Sequence, residues 1–144
     1  MPYLKSEQSV FYPDIQLTEL SGLQRIHYLE YIAEEEKRLA VPDGEEPALA
    51  AVMSMNFRLS ARLVALSLFQ RESGEVDLLD DHAIHAAVGV IQRRVLMQWS
   101  YEGIAANALQ IRKLSGMLPP VPESETDDRV TEPADNEPLS AEKP

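Results

Sequence analysis

The chain has 144 residues, of which 44% are hydrophobic and 26% charged, values typical of one globular domain. Its net charge of −11 argues against a nucleic-acid binder, which needs clustered lysine and arginine, and against a binder of anionic membranes. The absence of cysteine excludes disulfides, thiolate nucleophiles and cysteine metal sites. Neither a signal peptide nor an apolar run of roughly 18 residues is evident, so the sequence predicts a soluble, cytosolic protein.

Acidic residues and prolines are concentrated at the C-terminal end. Residues 119–144 hold eight acidic and two basic residues, a charge of −6, together with six of the ten prolines. This stretch has few apolar side chains and cannot bury enough surface to offset the entropy of ordering its backbone. We predict an ordered helical domain over residues 1–118 and an acidic, proline-rich, disordered tail over residues 119–144.

A hairpin and a helix are predicted at the start of the chain. Aromatic and β-branched residues flank a turn at Pro13-Asp14, which indicates a short β-hairpin within residues 1–16. A helix is expected from near Thr18, and Ser21 and Gln24 have the spacing of a capping box. Apolar residues at every third position are predicted to form one stripe along this helix: Leu20, Leu23, Ile26, Leu29 and Ile32.

Hydrophobic periodicity and capping residues predict three further helices. The second spans residues 46–71 and is apolar over more than half its circumference, so it is the best candidate for the central helix. Asp80 or Asp81 starts the third helix, and Ser100 caps the fourth, which Gly116 ends. The predicted fold class is mainly α, with about four helices in a small bundle and a short N-terminal hairpin.

Residues that could carry chemistry are scarce. His82 and His85 share a helix face beside Asp81, so a metal-binding pair is geometrically feasible. However, no His-Glu-x-x-His motif is present, and capping aspartates followed by partly exposed histidines are the simpler interpretation. His27 is interpreted as a helix-surface or core histidine, and no Gly-rich phosphate loop occurs. The sequence therefore predicts no enzyme and no catalytic, cofactor or metal site.

Aromatic and methionine side chains are the candidates for a partner-binding surface, because such residues are enriched at interfaces. Ordinary core filling is the alternative, and the sequence leaves it open. The second helix and the region that follows the third helix carry the candidates: Met53, Phe57, Phe69, Trp99 and Tyr101.

Four segments carry a resemblance to a known family. They are LTELSGLQRIHYL at residues 17–29, LVALSLF at 63–69, the stretch 87–117 with VLMQW and RKLSGM, and EPLSA at 137–141. In this order they resemble the minor tail protein G family, the tail assembly chaperones of lambda-like long-tailed bacteriophages. The resemblance covers nearly the whole chain.

The resemblance implies a chaperone that acts in the host cytoplasm during tail assembly and is absent from the mature virion. It implies that the tape measure protein is bound and kept soluble, and that the major tail protein is recruited chiefly through a product extended by −1 ribosomal frameshifting. The usual slip heptamer does not fit the codons for Glu142-Lys143, so the slip position stays open, as does a homo-oligomer. The alternatives are a metal protein or enzyme centred on Asp81, His82 and His85, and a generic acidic adaptor.

Overall fold

A computed structural model describes residues 3–42 and 44–117. The elements in chain order are β1 (Ser6–Gln8), β2 (Gln16–Thr18), α1 (Gly22–Leu39), α2 (Leu49–Glu72), α3 (Asp81–Gln98) and α4 (Tyr101–Leu114). The predicted fold class, four helices with an N-terminal hairpin, is confirmed. The predicted disorder of residues 119–144 falls outside the described residues.

The hairpin is a two-stranded antiparallel sheet. Ser6 lies opposite Thr18, and Gln8 lies opposite Gln16. The second strand therefore runs beyond residue 16, where the hairpin was expected to end, and Thr18 belongs to the sheet rather than to the start of a helix. Ser21 is the N-cap of α1, and its capping box with Gln24 forms as predicted.

Helix α2 occupies the centre of the fold. It packs against α1, α3, α4 and β2, as its broad apolar surface predicted. Every residue of the segment 61–69 is buried. By length and composition α2 also meets the criterion for a membrane-spanning helix, but the core helix of a bundle has the same composition. The helix was predicted to begin at residue 46, but its N-cap is Ala48, so Pro47 lies just outside it.

Helices α3 and α4 begin and end close to the predicted positions. Asp80 and Ser100 are their N-caps, and each side chain accepts a hydrogen bond from a backbone N–H in the first turn. Gly116 closes α4 in the left-handed conformation that favours glycine, with φ at 67°. The inward faces of the two helices supply much of the core: Ile84, Val88, Ile91, Val95, Ile104, Ala108 and Ile111.

The prediction that the apolar stripe of α1 forms its buried face is wrong. Leu23, Ile26 and Leu29 are exposed by 45%, 53% and 63%, respectively. A residue at every third position moves about 60° around the helix at each step, so a run of five cannot stay on one side. The buried face instead follows a true helical period and is mostly polar: Gln24, His27, Tyr28 and Glu35.

Polar contacts hold α1 against α2. The side-chain amide of Gln24 donates to the carbonyl oxygen of Leu66 at 2.6 Å. Glu35, which is 1% exposed, accepts two hydrogen bonds at one carboxylate oxygen from Nε and Nη2 of Arg58, at 3.0 and 2.7 Å. Because the buried polar groups of Gln24 and Glu35 have partners on α2, this part of the polar face of α1 can lie against the core.

Candidate functional site

A shallow apolar groove lies between the N-terminal half of α2 and the first turn of α4. Met53 and Phe57 come from α2, and Tyr101 comes from α4. The rings of Phe57 and Tyr101 lie with their centroids 5.1 Å apart. The groove has a volume of about 360 Å³, and its lining is completed by small and polar side chains: Ser54, Asn56, Ser60 and Ala105.

The groove exists because α2 is longer than the helices that cover it. Its C-terminal half is enclosed, whereas Met53, nearer the N-terminus, is 59% exposed. Tyr101 is 65% exposed, while Ile104 in the next part of the same helix is fully buried. One side of α4 is thus anchored in the core while its first residue presents a ring to the solvent.

The structure brings three of the five predicted partner-binding residues together, and these three are Met53, Phe57 and Tyr101. Trp99 lies elsewhere, with its ring centroid 4.8 Å from that of Tyr12 in the hairpin loop. Phe69 belongs to the hydrophobic core and is only 5% exposed. The groove therefore contains three members of the predicted set, Trp99 lies at a separate partly exposed position, and Phe69 is enclosed in the core.

A second exposed apolar surface lies on α1, formed by Leu23, Ile26 and Leu29. We call it the outer face of α1. These three residues were predicted from their spacing to form a buried apolar stripe. Two spacings in the sequence could have corrected this prediction. Leu23, Ile26 and Leu29 are each three residues apart, whereas Gln24, His27 and Tyr28 have the spacings of three and four that place residues on one face of a helix.

A histidine cluster joins α1 to α3. His27 is buried, with 3% of its side chain exposed, and its ring centroid is 4.4 Å from that of His85. Neither ring nitrogen of His27 has a hydrogen-bond partner. Glu30 completes the cluster, because one ligand atom from each of these three residues lies within 4.8 Å of the others.

Charged groups surround this cluster. Burial lowers the pKa of His85, and His27 and Arg62 lower it further. Arg62 itself has a lowered pKa because it is buried, and its guanidinium carbon lies 4.7 Å above the ring of Tyr31. Asp81 approaches from the start of α3, with a carboxylate oxygen 3.8 Å from Nε2 of His27.

The metal-binding alternative from the sequence, Asp81 with His82 and His85, is assembled differently in the structure. His85 faces His27 and Glu30 on another helix, whereas His82 is exposed. Glu30 was not among the residues predicted from the sequence, and His27 was interpreted on its own. Their separation of three residues on one helix was the available signal, but only the packing of α1 and α3 shows which histidine faces them.

The described fold is a small helical bundle with an N-terminal hairpin and apolar side chains on its surface. A family described as "Bacteriophage lambda tail assembly chaperone, TAC, protein G" matches residues 2–137. The chain belongs to this family, so the resemblance inferred from the sequence is confirmed.

Two proteins of Escherichia phage N15 are similar to this chain. Its tail assembly protein G is 36% identical over 133 residues, which cover 90% of this chain and 87% of that protein. Its tail assembly protein GT is 35% identical over 132 residues, which cover 90% of this chain but only 48% of that protein. The chain thus spans about half the length of GT. No solved structure shows significant similarity.

Proposed function

We propose that this chain binds the tape measure protein in the host cytoplasm and shields its apolar helical segments until the tail is assembled around it. It acts by binding, without catalysis, and leaves before the virion is complete. Membership of the tail assembly chaperone family supports the proposal. The structural observation that carries it is the exposed groove of Met53, Phe57 and Tyr101.

The groove suits an amphipathic helix as its occupant. A helical partner inserts apolar side chains spaced three or four residues apart into a groove of this kind, and its polar side stays in water. The adjacent, mutually tilted rings of Phe57 and Tyr101 supply an apolar wall, while Met53 supplies a flexible side chain that adapts to different sequences. Such a surface favours many similar segments of one long partner over a single motif.

The outer face of α1 extends the apolar surface that is open to a partner. Leu23, Ile26 and Leu29 cover part of one side of an 18-residue helix. A second contact on the same chaperone raises the overall affinity when both sites engage one long chain. The net charge of −11 helps to keep a coated complex in solution by repulsion between neighbouring complexes.

We also propose that the major tail protein is recruited through a longer product of the same gene, extended by ribosomal frameshifting. The support is that this chain matches about half of a longer relative, the tail assembly protein GT of phage N15. The proposal predicts that the chain alone binds the tape measure protein but retains little major tail protein in a pull-down, while an extended product retains both.

Co-expression with the tape measure protein of the same phage tests the groove. The double substitution Met53→Gln with Tyr101→Gln should reduce the co-purified tape measure protein about tenfold, because residues at the centre of an interface carry most of the affinity. Met97→Gln is the matched control, since Met97 is 74% exposed on α3 and lies outside the groove. Thermal melting of each variant checks that the fold is retained.

A second variant separates the two apolar surfaces. Ile26→Gln with Leu29→Gln changes the outer face of α1 and leaves the groove intact. Loss of binding in this variant alone would move the docking site to α1 and reject the groove. Undiminished co-purification in both double variants would reject apolar docking through either surface.

A further inference from the structure

We propose that His27, Glu30 and His85 form a binding site for a divalent transition-metal ion, with Zn²⁺ as the expected occupant, that links α1 to α3. The proposed site is independent of tape measure binding, because its three residues belong neither to the groove nor to the apolar set on the outer face of α1. The sequence alone predicted no metal site.

The geometry of the three side chains is the first observation. One ligand atom from each lies within 4.8 Å of the others, and two of the three come from successive turns of α1. Around a tetrahedral ion with bonds of about 2.0–2.1 Å, ligand atoms are separated by roughly 3.3 Å. The side chains must therefore close by roughly 1.5 Å at most. Glu30 is exposed and His85 only partly buried, so rotation of their side chains can supply this movement.

The second observation is independent of the spacing. His27 has 3% of its side chain exposed, and neither Nδ1 nor Nε2 has a hydrogen-bond partner. A buried imidazole without partners is costly, because its donor and its acceptor have both lost water. A metal ion bound at one ring nitrogen would replace the lost hydration of that atom. The nearest carboxylate, from Asp81, is 3.8 Å from Nε2 and lies at the margin of the cluster.

The ligand chemistry selects the kind of ion. Two imidazoles and one carboxylate form a ligand set typical of zinc sites with an open fourth position, whereas Mg²⁺ and Ca²⁺ prefer oxygen ligands throughout. The hollow beside the cluster, about 540 Å³ in volume, is also lined by Glu34 and Arg62. The positive charge of Arg62 opposes a cation in this hollow, but its guanidinium is already engaged by a hydrogen bond to Oε1 of Gln92 at 3.0 Å and by the ring of Tyr31.

Binding of an ion here would fasten α1 to the start of α3. Helix α1 packs chiefly on α2 and has few contacts with α3. A ligand that binds the folded state alone stabilises it in proportion to the logarithm of its concentration over Kd. Zn²⁺ should therefore raise the melting temperature of the protein, and the rise should disappear when the cluster is disrupted.

Titration of the full chain, with any affinity tag removed and after dialysis against a chelator, tests the proposal. Calorimetric titration with ZnCl₂ should show one ion per chain, and MgCl₂ should give no binding. His85→Gln and Glu30→Gln should each weaken Zn²⁺ binding by about tenfold or more, because each removes one ligand. His82→Gln is the matched control: it alters an exposed histidine three residues away on the same helix and should leave Kd unchanged.

Two results would overturn the proposal. One is the absence of stoichiometric Zn²⁺ binding by the unsubstituted chain. The other is a loss in His82→Gln as large as that in His85→Gln, which would place the ion on the exposed side of α3. The decisive variants change the exposed Glu30 and the partly buried His85. The buried His27, whose substitution could disturb the fold, is left unchanged. Circular dichroism of each apoprotein verifies that the helices remain.

Discussion

The hydroxyl group of Ser67 in α2 makes two hydrogen bonds to the backbone of Thr18 in β2. The Thr18 N–H donates to Oγ at 2.8 Å, and the same hydroxyl donates to the Thr18 carbonyl oxygen at 2.7 Å. Ser67 is fully buried and Thr18 nearly so, which leaves no water for either backbone group. One side chain of the central helix therefore satisfies the strand groups that do not pair with β1.

Substitution Ser67→Ala should destabilise the protein by about 2 kcal/mol, because it leaves a buried donor and a buried acceptor of Thr18 unsatisfied. Chemical denaturation with urea measures the loss. Ser54→Ala is the matched control, since it changes an exposed serine of the same helix and should alter stability by less than about 0.5 kcal/mol. Equal effects of the two substitutions would contradict the role given to Ser67.

Arg58 should compensate the buried charge of Glu35 much more than Arg38 does. Arg58 donates twice to Oε1, whereas Arg38 donates once to Oε2 at 3.1 Å and has 70% of its side chain exposed. Arg58→Ala should therefore cost about 2–3 kcal/mol, because it leaves a buried charge poorly compensated, and Arg38→Ala less than about 1 kcal/mol. Denaturant unfolding of both variants gives the comparison.

A double variant tests the same contact from the opposite side. Replacing Glu35 and Arg58 together by methionine removes the buried charge along with its partner, so the double variant should be more stable than Arg58→Ala alone. A double variant that is less stable than the single one would show that the ion pair contributes more than its cost of desolvation.

The effect of Gly103→Ala in α4 on stability should depend on the side chain at position 12. A Cβ atom at this position would lie 2.6 Å from Cζ of Tyr12, whose ring in the hairpin loop crosses the helix there. Gly103→Ala should therefore destabilise the protein, even though alanine is favoured over glycine in a helix by up to about 1 kcal/mol. In a Tyr12→Ala background the same substitution should become stabilising. Thermal melting of the four proteins gives the double-mutant cycle, and an unchanged sign would refute the steric explanation.

Removal of the residues after 118 should leave the fold intact. The C-terminal turn of α4 is complete before that point, because the N–H of Met117 donates to the carbonyl oxygen of Arg112 at 2.8 Å. We expect the melting temperature of a chain ending at residue 118 to lie within about 2 °C of that of the full chain. A marked drop would contradict the disorder predicted for residues 119–144.

A shorter chain ending at residue 113 provides the control for the truncation. It lacks Ser115, whose hydroxyl accepts a hydrogen bond at 3.0 Å from the buried N–H of Leu20. It also lacks the glycine turn that closes α4. This chain should melt several degrees lower, which would show that the measurement is sensitive to structure at this end of the molecule.

Helix ends could be predicted from the sequence because the stop and start signals are local. Asp80 and Ser100 provide side-chain caps, and Gly116 adopts the backbone conformation that few other residues accept. The third and fourth helices themselves were predicted for a related reason, since their apolar residues follow the helical period of 3.6 residues. These features depend on neighbours within a few positions of the chain.

The buried face of α1 could not be predicted from hydrophobicity. Gln24 and Glu35 are polar residues that occupy the core side only because partners on α2 lie opposite them. Those partners are more than 20 residues away in the chain, and the sequence gives no sign of the pairing. For the same reason, residue types indicated Met53, Phe57 and Tyr101 as interface candidates, but only packing could separate them from Phe69.

Helix α1 turns polar side chains such as Gln24 and Glu35 towards the core and exposes Leu23, Ile26 and Leu29 to the solvent. Its buried side covers part of the apolar surface of α2, and Tyr28 and Ile32 contribute apolar contacts there beside the polar groups. The outer face of α1 is already exposed, so it can contact another protein without a rearrangement of the helix. Helix α1 can thus contact a partner through Leu23, Ile26 and Leu29 while its buried side remains against α2.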